Sequence, residues 1–144
     1  MTSWVVADSG VYLAIALQEP FAPQAQRLVD TWIQQNYRIA APYLFRYEII
    51  SVIRKHISSG KLALPDGESI VQGLLRQPVK TFANMALLQR AFTLANQYQL
   101  PTAYDAQYLA VADYLGCDLW TNDKRLFNTV SHQLTWVKWL GNVT

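Results

Sequence analysis

Between Pro101 and Phe127 the sequence alternates helix-forming and strand-forming chemistry so closely that few folds can hold it. Pro101 and Thr102 open a helix, with Thr102 as its N-cap. Tyr108, Leu109, Ala112 and Leu115 follow at helical spacing and give that helix one apolar stripe. Gly116 ends it as a C′ residue. Cys117 to Thr121 is short and mostly apolar, which suits a strand buried beneath helices. Asn122-Asp123 then caps a further helix. This unit carries one acid, Asp105, in its first helical turn and another, Asp123, just past its strand. Acids at those two points can meet over the carboxyl edge of a sheet, where open α/β folds place their sites.

The rest of the chain keeps the same alternation. Residues 4–7 read as a buried strand that turns at Asp8-Ser9-Gly10 into a helix over 11–17. Pro20 and Pro23 interrupt, and a second helix follows over 25–35, with Leu28, Val29, Trp32 and Ile33 on one face. Residues 37–41 form a strand stopped by Pro42. The helix over 43–58 has Phe45, Ile49, Val52, Ile53 and His56 on one face, with Glu48 on the shoulder of that stripe. A helix over 66–76, a strand over 79–82 and a helix capped by Asn84 and running to Gln97 come next, the last with Leu87, Leu88, Ala91 and Leu94 inward. Leu134 to Val137 is expected as an edge strand, covered by Trp139. Such alternation predicts an α/β fold, a three-layer α/β/α arrangement on a central, mainly parallel sheet, in one domain spanning 1–144.

Composition narrows the function classes. Half the 144 residues are hydrophobic (51%) and 15% are charged, so the chain is globular rather than disordered. Twelve Lys/Arg against ten Asp/Glu give a net charge of +2, too small by itself to announce nucleic acid. A single cysteine, Cys117, excludes an intramolecular disulfide and reads as a buried thiol. No basic-then-apolar leader precedes Asp8 and no apolar run approaches a membrane span, so a cytoplasmic protein without membrane attachment is expected.

With only ten acids, the position of each one is informative. Each of four has an ordinary explanation. Asp8 could simply cap the next helix. Glu48 could be solvated or paired with Lys55. Asp105 stands three residues after Thr102, as in a capping box, and Asp123 could be a first-turn acid favoured by the helix dipole. Those explanations leave unexplained why all four fall at strand ends or beside inward helix faces. Gathered in one cleft, four carboxylates would repel and raise one another's pKa values, so such a cluster persists with a neutralising cation. A set without histidine or thiolate suits Mg²⁺ or Mn²⁺ rather than zinc. The chemistry that follows is phosphodiester hydrolysis by metal-activated water. His56 lies on an apolar helix face and reads as a core or interface histidine. Arg46, Lys124 and Arg125 are the basic candidates for holding a polyanion near the acids, or for balancing neighbouring carboxylates. Asp113, two turns beyond Asp105, is expected at the surface.

These residues carry a resemblance. Val-Ala-Asp-Ser at 6–9, Ala-Pro-Tyr-Leu-Phe-Arg-Tyr-Glu-Ile at 41–49, Tyr-Asp-Ala-Gln-Tyr-Leu-Ala at 104–110 and Leu-Trp-Thr-Asn-Asp-Lys-Arg-Leu at 119–126, in this order, resemble the PIN-domain family and its VapC-type toxin ribonucleases over almost the whole chain. The resemblance implies a Mg²⁺- or Mn²⁺-dependent ribonuclease acting on single-stranded RNA. It makes Asp8, Glu48, Asp105 and Asp123 the metal-binding acids. Thr121 takes the hydroxyl position before the last acid, where it positions a water, and Ser9 supports the site from behind. It also implies a homodimer and a cognate antitoxin protein.

Two other α/β enzymes fit less well. A haloacid-dehalogenase-like phosphatase needs a second Asp where this chain has Gly10, and a receiver domain needs an acid order that is absent, although Lys124 could serve as its late lysine. A PIN-like module that binds RNA or protein without cutting is the alternative from another class, and the intact acids weigh against it.

Overall fold

Val5, Val6 and Ala7 are all buried, and so are the four consecutive residues Ile39, Ala40, Ala41 and Pro42. Strands without an exposed side must be covered on both faces, the condition that parallel sheets between helices meet. The computed structural model describes residues 3–144. In chain order its elements are β1 (Trp4–Ala7), α1 (Ser9–Ala16), α2 (Ala22–Gln34), β2 (Arg38–Pro42), α3 (Leu44–Ser58), α4 (Leu64–Leu75), β3 (Val79–Phe82), α5 (Met85–Gln97), α6 (Tyr104–Leu115), β4 (Leu119–Thr121), α7 (Lys124–Val130) and β5 (Val137–Trp139), closed by a 3₁₀ turn at Leu140–Asn142. The strands form one five-stranded sheet in the order β3-β2-β1-β4-β5, every pairing parallel. With its helices this is the expected three-layer α/β/α arrangement.

From β1 the chain builds outward through β2 to β3, then crosses back to lay β4 on the other flank of β1. The strand order therefore reverses between β1 and β4. At such a reversal the connections leave on opposite sides, and a crevice opens at the carboxyl ends of the two strands. Asp8 follows β1 and Thr121 ends β4, so both stand at that crevice.

Several boundaries differ from the sequence reading. The helix of the Pro101–Phe127 unit begins at Tyr104, not Thr102, and Ala103 at its N-cap makes no side-chain bond. Pro42 closes β2 as its last paired residue rather than stopping it from outside, since a final strand position facing β3 needs no N–H of its own there. The last strand is Val137–Trp139, three residues later than expected; it lies at the sheet edge, and Trp139 belongs to it instead of covering it. Helix α4 starts two residues earlier, with Pro65 in its first turn. Leu88, expected inward, is 55% exposed, and Ile33, expected to share a face with Leu28, Val29 and Trp32, is 58% exposed. Cys117 is half-buried, and burial followed by the nearby Asp118 pushes its thiol up to about 11, so it stays a protonated thiol. His56 is half-buried too, with Nδ1 2.9 Å from the Val52 carbonyl. Among the described residues no helix is long and apolar enough to cross a membrane.

Candidate active site

Asp8 caps α1: its Oδ1 accepts from the Val11 N–H at 3.2 Å. Its Oδ2 accepts from the Thr121 hydroxyl, across the β1–β4 crevice, and from the Asn122 N–H at 3.3 Å. Thr121 is fully buried, and its Oγ also accepts the Asp123 N–H at 2.9 Å. The threonine thus bridges the two acids at the ends of β1 and β4. Its one hydroxyl hydrogen goes to Asp8. Asp123 is itself the N-cap of α7, its Oδ1 accepting from Arg125 N–H (2.9 Å) and Leu126 N–H (3.1 Å).

Glu48 projects from the second turn of α3 into the same crevice. It is not paired with Lys55. Its Oε1 accepts from the Ser9 hydroxyl at 3.1 Å and from the Tyr108 hydroxyl at 2.5 Å. Asp105 lies in the first turn of α6 and has no hydrogen-bond partner among the described residues, so no capping box forms with Thr102. Three of the four acids therefore stand at helix N-termini, where unpaired N–H groups and the helix dipole favour negative charge. Capping holds locally for Asp8 and Asp123, though not for Asp105, and the fold still brings all three acids to one sheet edge.

The electrostatics register that proximity. Burial raises the Asp8 carboxyl to about 7; Glu48 pushes the same way, and the bonds from Thr121, Asn122 and Val11 pull it back only in part. Burial also raises Asp105, with Asp123 and then Glu48 adding their repulsion. No basic side chain relieves them: within 4 Å, the ion pair found among the described residues is Arg90 with Asp113 at 3.1 Å, on the surface and away from the crevice. Asp113 is the exposed acid expected from its position along the helix.

The donor set is oxygen only, and Glu48 Oε2, Asp123 Oδ2 and both Asp105 oxygens have no protein partner among the described residues. That is the chemistry of a hard divalent cation. As the side chains stand, no three Asp, Glu, His or Cys among the described residues are close enough together to grip an ion. The acids interact as the pairs Asp8–Glu48, Asp105–Asp123 and Asp105–Glu48, so closing on a cation requires the free carboxylates to turn inward.

A PIN-domain family model matches residues 5–132, which includes all four acids. The chain belongs to the PIN-domain family. Among curated proteins, a VapC ribonuclease of Mycobacterium bovis and ribonuclease VapC9 of Mycobacterium tuberculosis are each 30% identical over 125 residues, 87% of this chain and 90% of theirs. Ribonuclease VapC3 of Pyrobaculum aerophilum is 28% identical over 85% of this chain and 91% of its own. In fold, the crystal structure of PAE2754 from Pyrobaculum aerophilum superposes with a TM-score of 0.69 at 21% identity, covering 98% of this chain and 93% of that one.

The basic residues of this PIN domain separate into two groups. Arg46 leaves the candidate set: its guanidinium donates to the carbonyls of Leu75 (3.3 Å) and Val79 (3.1 Å), at the amino-terminal end of edge strand β3. It fastens the α4–β3 connection to α3. Lys124 and Arg125 are exposed and follow Asp123 directly. The Lys124 ammonium sits 5.0 Å from the centre of the Trp139 ring, a cation–π contact that holds the charge beside the crevice. Trp139 in turn stacks on Phe127 and meets Phe21 edge-on.

Two features of the site were not read from the sequence. Tyr108 counts as part of an apolar stripe, and its ring is indeed buried, but its hydroxyl reaches Glu48. Its position three residues after Asp105, on the same face of α6, is the signal that could have found it. Gly10 is the other: a Cβ there would lie 2.9 Å from the Asn122 Cβ and 3.1 Å from Asp8 Oδ1, so α1 can approach the β4 turn only without a side chain at that point.

Proposed function

We propose that this PIN domain is an endoribonuclease that hydrolyses phosphodiester bonds of single-stranded RNA with Mg²⁺ or Mn²⁺, and that it is the toxin of a toxin–antitoxin pair acting in the cytoplasm. The observation that carries the reading is a crevice of four acids at one sheet edge, in which burial first and the neighbouring carboxylates second raise Asp8 and Asp105, with no basic side chain paired to any of them among the described residues. Relatives named ribonucleases, aligned over most of their own length, support it.

In this reading Asp8, Glu48, Asp105 and Asp123 would hold the cation, which would activate water as the nucleophile and offset charge on the phosphate. Thr121 and the Asn122 N–H fix the Asp8 carboxylate and keep it from turning out of the crevice. Ser9 does the same for Glu48 from behind. Asp105, without hydrogen bonds of its own, is the acid that moves most freely. Lys124 and Arg125 receive the phosphates on either side of the scissile bond, Lys124 steadied by Trp139. A second copy of the chain and a cognate antitoxin are the protein partners this reading adds.

The purified protein should cleave single-stranded RNA with Mg²⁺ or Mn²⁺, stop on addition of EDTA, and leave 5′-phosphate and 3′-hydroxyl ends. Chelator-resistant cleavage or 2′,3′-cyclic phosphate products mean a metal-free mechanism; RNA bound but never cut means a binding module. For the phosphate contacts, the double substitution Lys124→Ala, Arg125→Ala should flatten the dependence of RNA affinity on salt, the log–log slope falling by roughly 0.7 for each phosphate no longer neutralised. An unchanged slope assigns both side chains to the protein's own structure.

A further inference from the structure

We propose that Tyr108 is a positioning residue for Glu48, and that through this one hydroxyl α6 sets where the α3 carboxylate presents its free oxygen. The inference rests on the metal-dependent reading above and adds to it a residue that touches neither RNA nor metal. Tyr108 is 2% exposed, so its oxygen must find partners inside the protein. It donates to Glu48 Oε1 at 2.5 Å and accepts from the Ser9 N–H at 3.3 Å. That N–H lies in the first turn of α1, where no helical carbonyl is available to it. The Ser9 hydroxyl donates to the same Glu48 oxygen at 3.1 Å.

Three consequences follow from this geometry. Oε1 of Glu48 is held by two donors from two different elements, so rotation about its terminal bond is blocked and Oε2 is left for a ligand. The hydroxyl joins three elements, each bearing an acid: α6 with Asp105 one turn before Tyr108, α3 with Glu48, and α1 whose cap is Asp8. Phenylalanine would fill the same space and lose only the oxygen, so packing and positioning can be told apart.

The test is a calorimetric titration of Mn²⁺ into the intact protein as wild type, Tyr108→Phe, Glu48→Gln and the double variant, with kcat and KM on RNA alongside. Tyr108→Phe is expected to weaken Mn²⁺ binding by about 10- to 100-fold, the range for residues that orient metal ligands, and to lower kcat while leaving KM for RNA unchanged. In the Glu48→Gln background the same change should alter the Mn²⁺ dissociation constant by less than about twofold, because residues that act through one another are not additive. Wild-type Mn²⁺ affinity in Tyr108→Phe, or full additivity in the double variant, overturns the inference. Should Tyr108→Phe fail to fold, Ser9→Ala removes the other donor to the same oxygen, and unchanged Mn²⁺ affinity there overturns it equally. Failure of the underlying reading looks different: the wild-type protein then neither binds Mn²⁺ nor cuts RNA, and this inference falls with it.

Discussion

Asp105→Asn is expected to lower RNA cleavage by about a thousandfold, or about 4 kcal/mol of transition-state stabilisation, and at the same time to make the metal-free protein more stable. The two effects have one cause. Asp105 is half-buried, accepts no hydrogen bond among the described residues, and is raised in pKa by burial and by the charges of Asp123 and Glu48. Its ionised form therefore destabilises the empty fold, and asparagine of nearly the same shape relieves that without losing a bond. A gain of about 1 kcal/mol would raise the melting temperature by roughly 2–4 °C in a chain of this size. The gain should be present at pH 8 without metal, absent at pH 3.5 where the wild-type carboxyl is already neutral, and reversed when Mg²⁺ is added. Asp113→Asn provides the contrast on the same helix. It lies eight residues on, about 12 Å along the axis, and is half exposed in its pair with Arg90. Losing that pair costs at most about 1 kcal/mol and leaves cleavage intact. An inactive, folded Asp113→Asn beside an active Asp105→Asn would put the site at the wrong end of α6.

The second large effect is a pH dependence of the metal-free protein opposite in sign to ordinary acid denaturation. In the unfolded chain Asp8 loses its proton near 3.8; in the fold it holds it to about 7. Between those values the native state binds the extra proton, so the contribution of Asp8 to stability declines as pH rises from about 4 to about 7. A displacement of that size corresponds to a few kcal/mol, about 1.4 for each pH unit. Other acids titrate in the same range, so the quantity to measure is the stability difference between wild type and Asp8→Asn at pH 4.5 and 7.5. It should shift in favour of the variant at the higher pH. Saturating Mg²⁺ should abolish the shift in the wild type, since a cation then stands where the proton stood. A difference independent of pH would mean that Asp8 ionises freely in the fold.

How much of this was legible in the sequence depended on what each signal measures. Runs such as Val5–Ala7 and Ile39–Pro42 are apolar because both faces are covered, and that condition is written residue by residue. The alternation of strand and helix was therefore readable, and so were the acids that break it at its ends. Periodicity says which residues share a face but not whether anything lies against that face. For this reason Leu88, which the pattern turns inward, and Ile33, which it groups with Val29 and Trp32, are both exposed. Arg46 was placed by its proximity in sequence to Glu48, yet a long side chain at a nearby helical position points elsewhere, here to the Leu75 and Val79 carbonyls. Tyr108 was hidden by its own chemistry. Its ring obeys the apolar pattern and its oxygen does not, and pattern reading weighs the ring.

The strand order has a last consequence, in time rather than in space. The bond that fixes Asp8 joins residues separated by 113 positions, because β4 must be laid against β1 before Thr121 can reach it. On a ribosome adding about 5–20 residues per second, that interval alone takes roughly 6–23 s. By its end the chain has made α1 to α6, while Oδ2 of Asp8 still waits for Thr121 and Asn122 and the last acid is unmade. A polypeptide interrupted anywhere before β4 lacks a complete site by construction, and whatever binds the early helices has several seconds in which to arrive first.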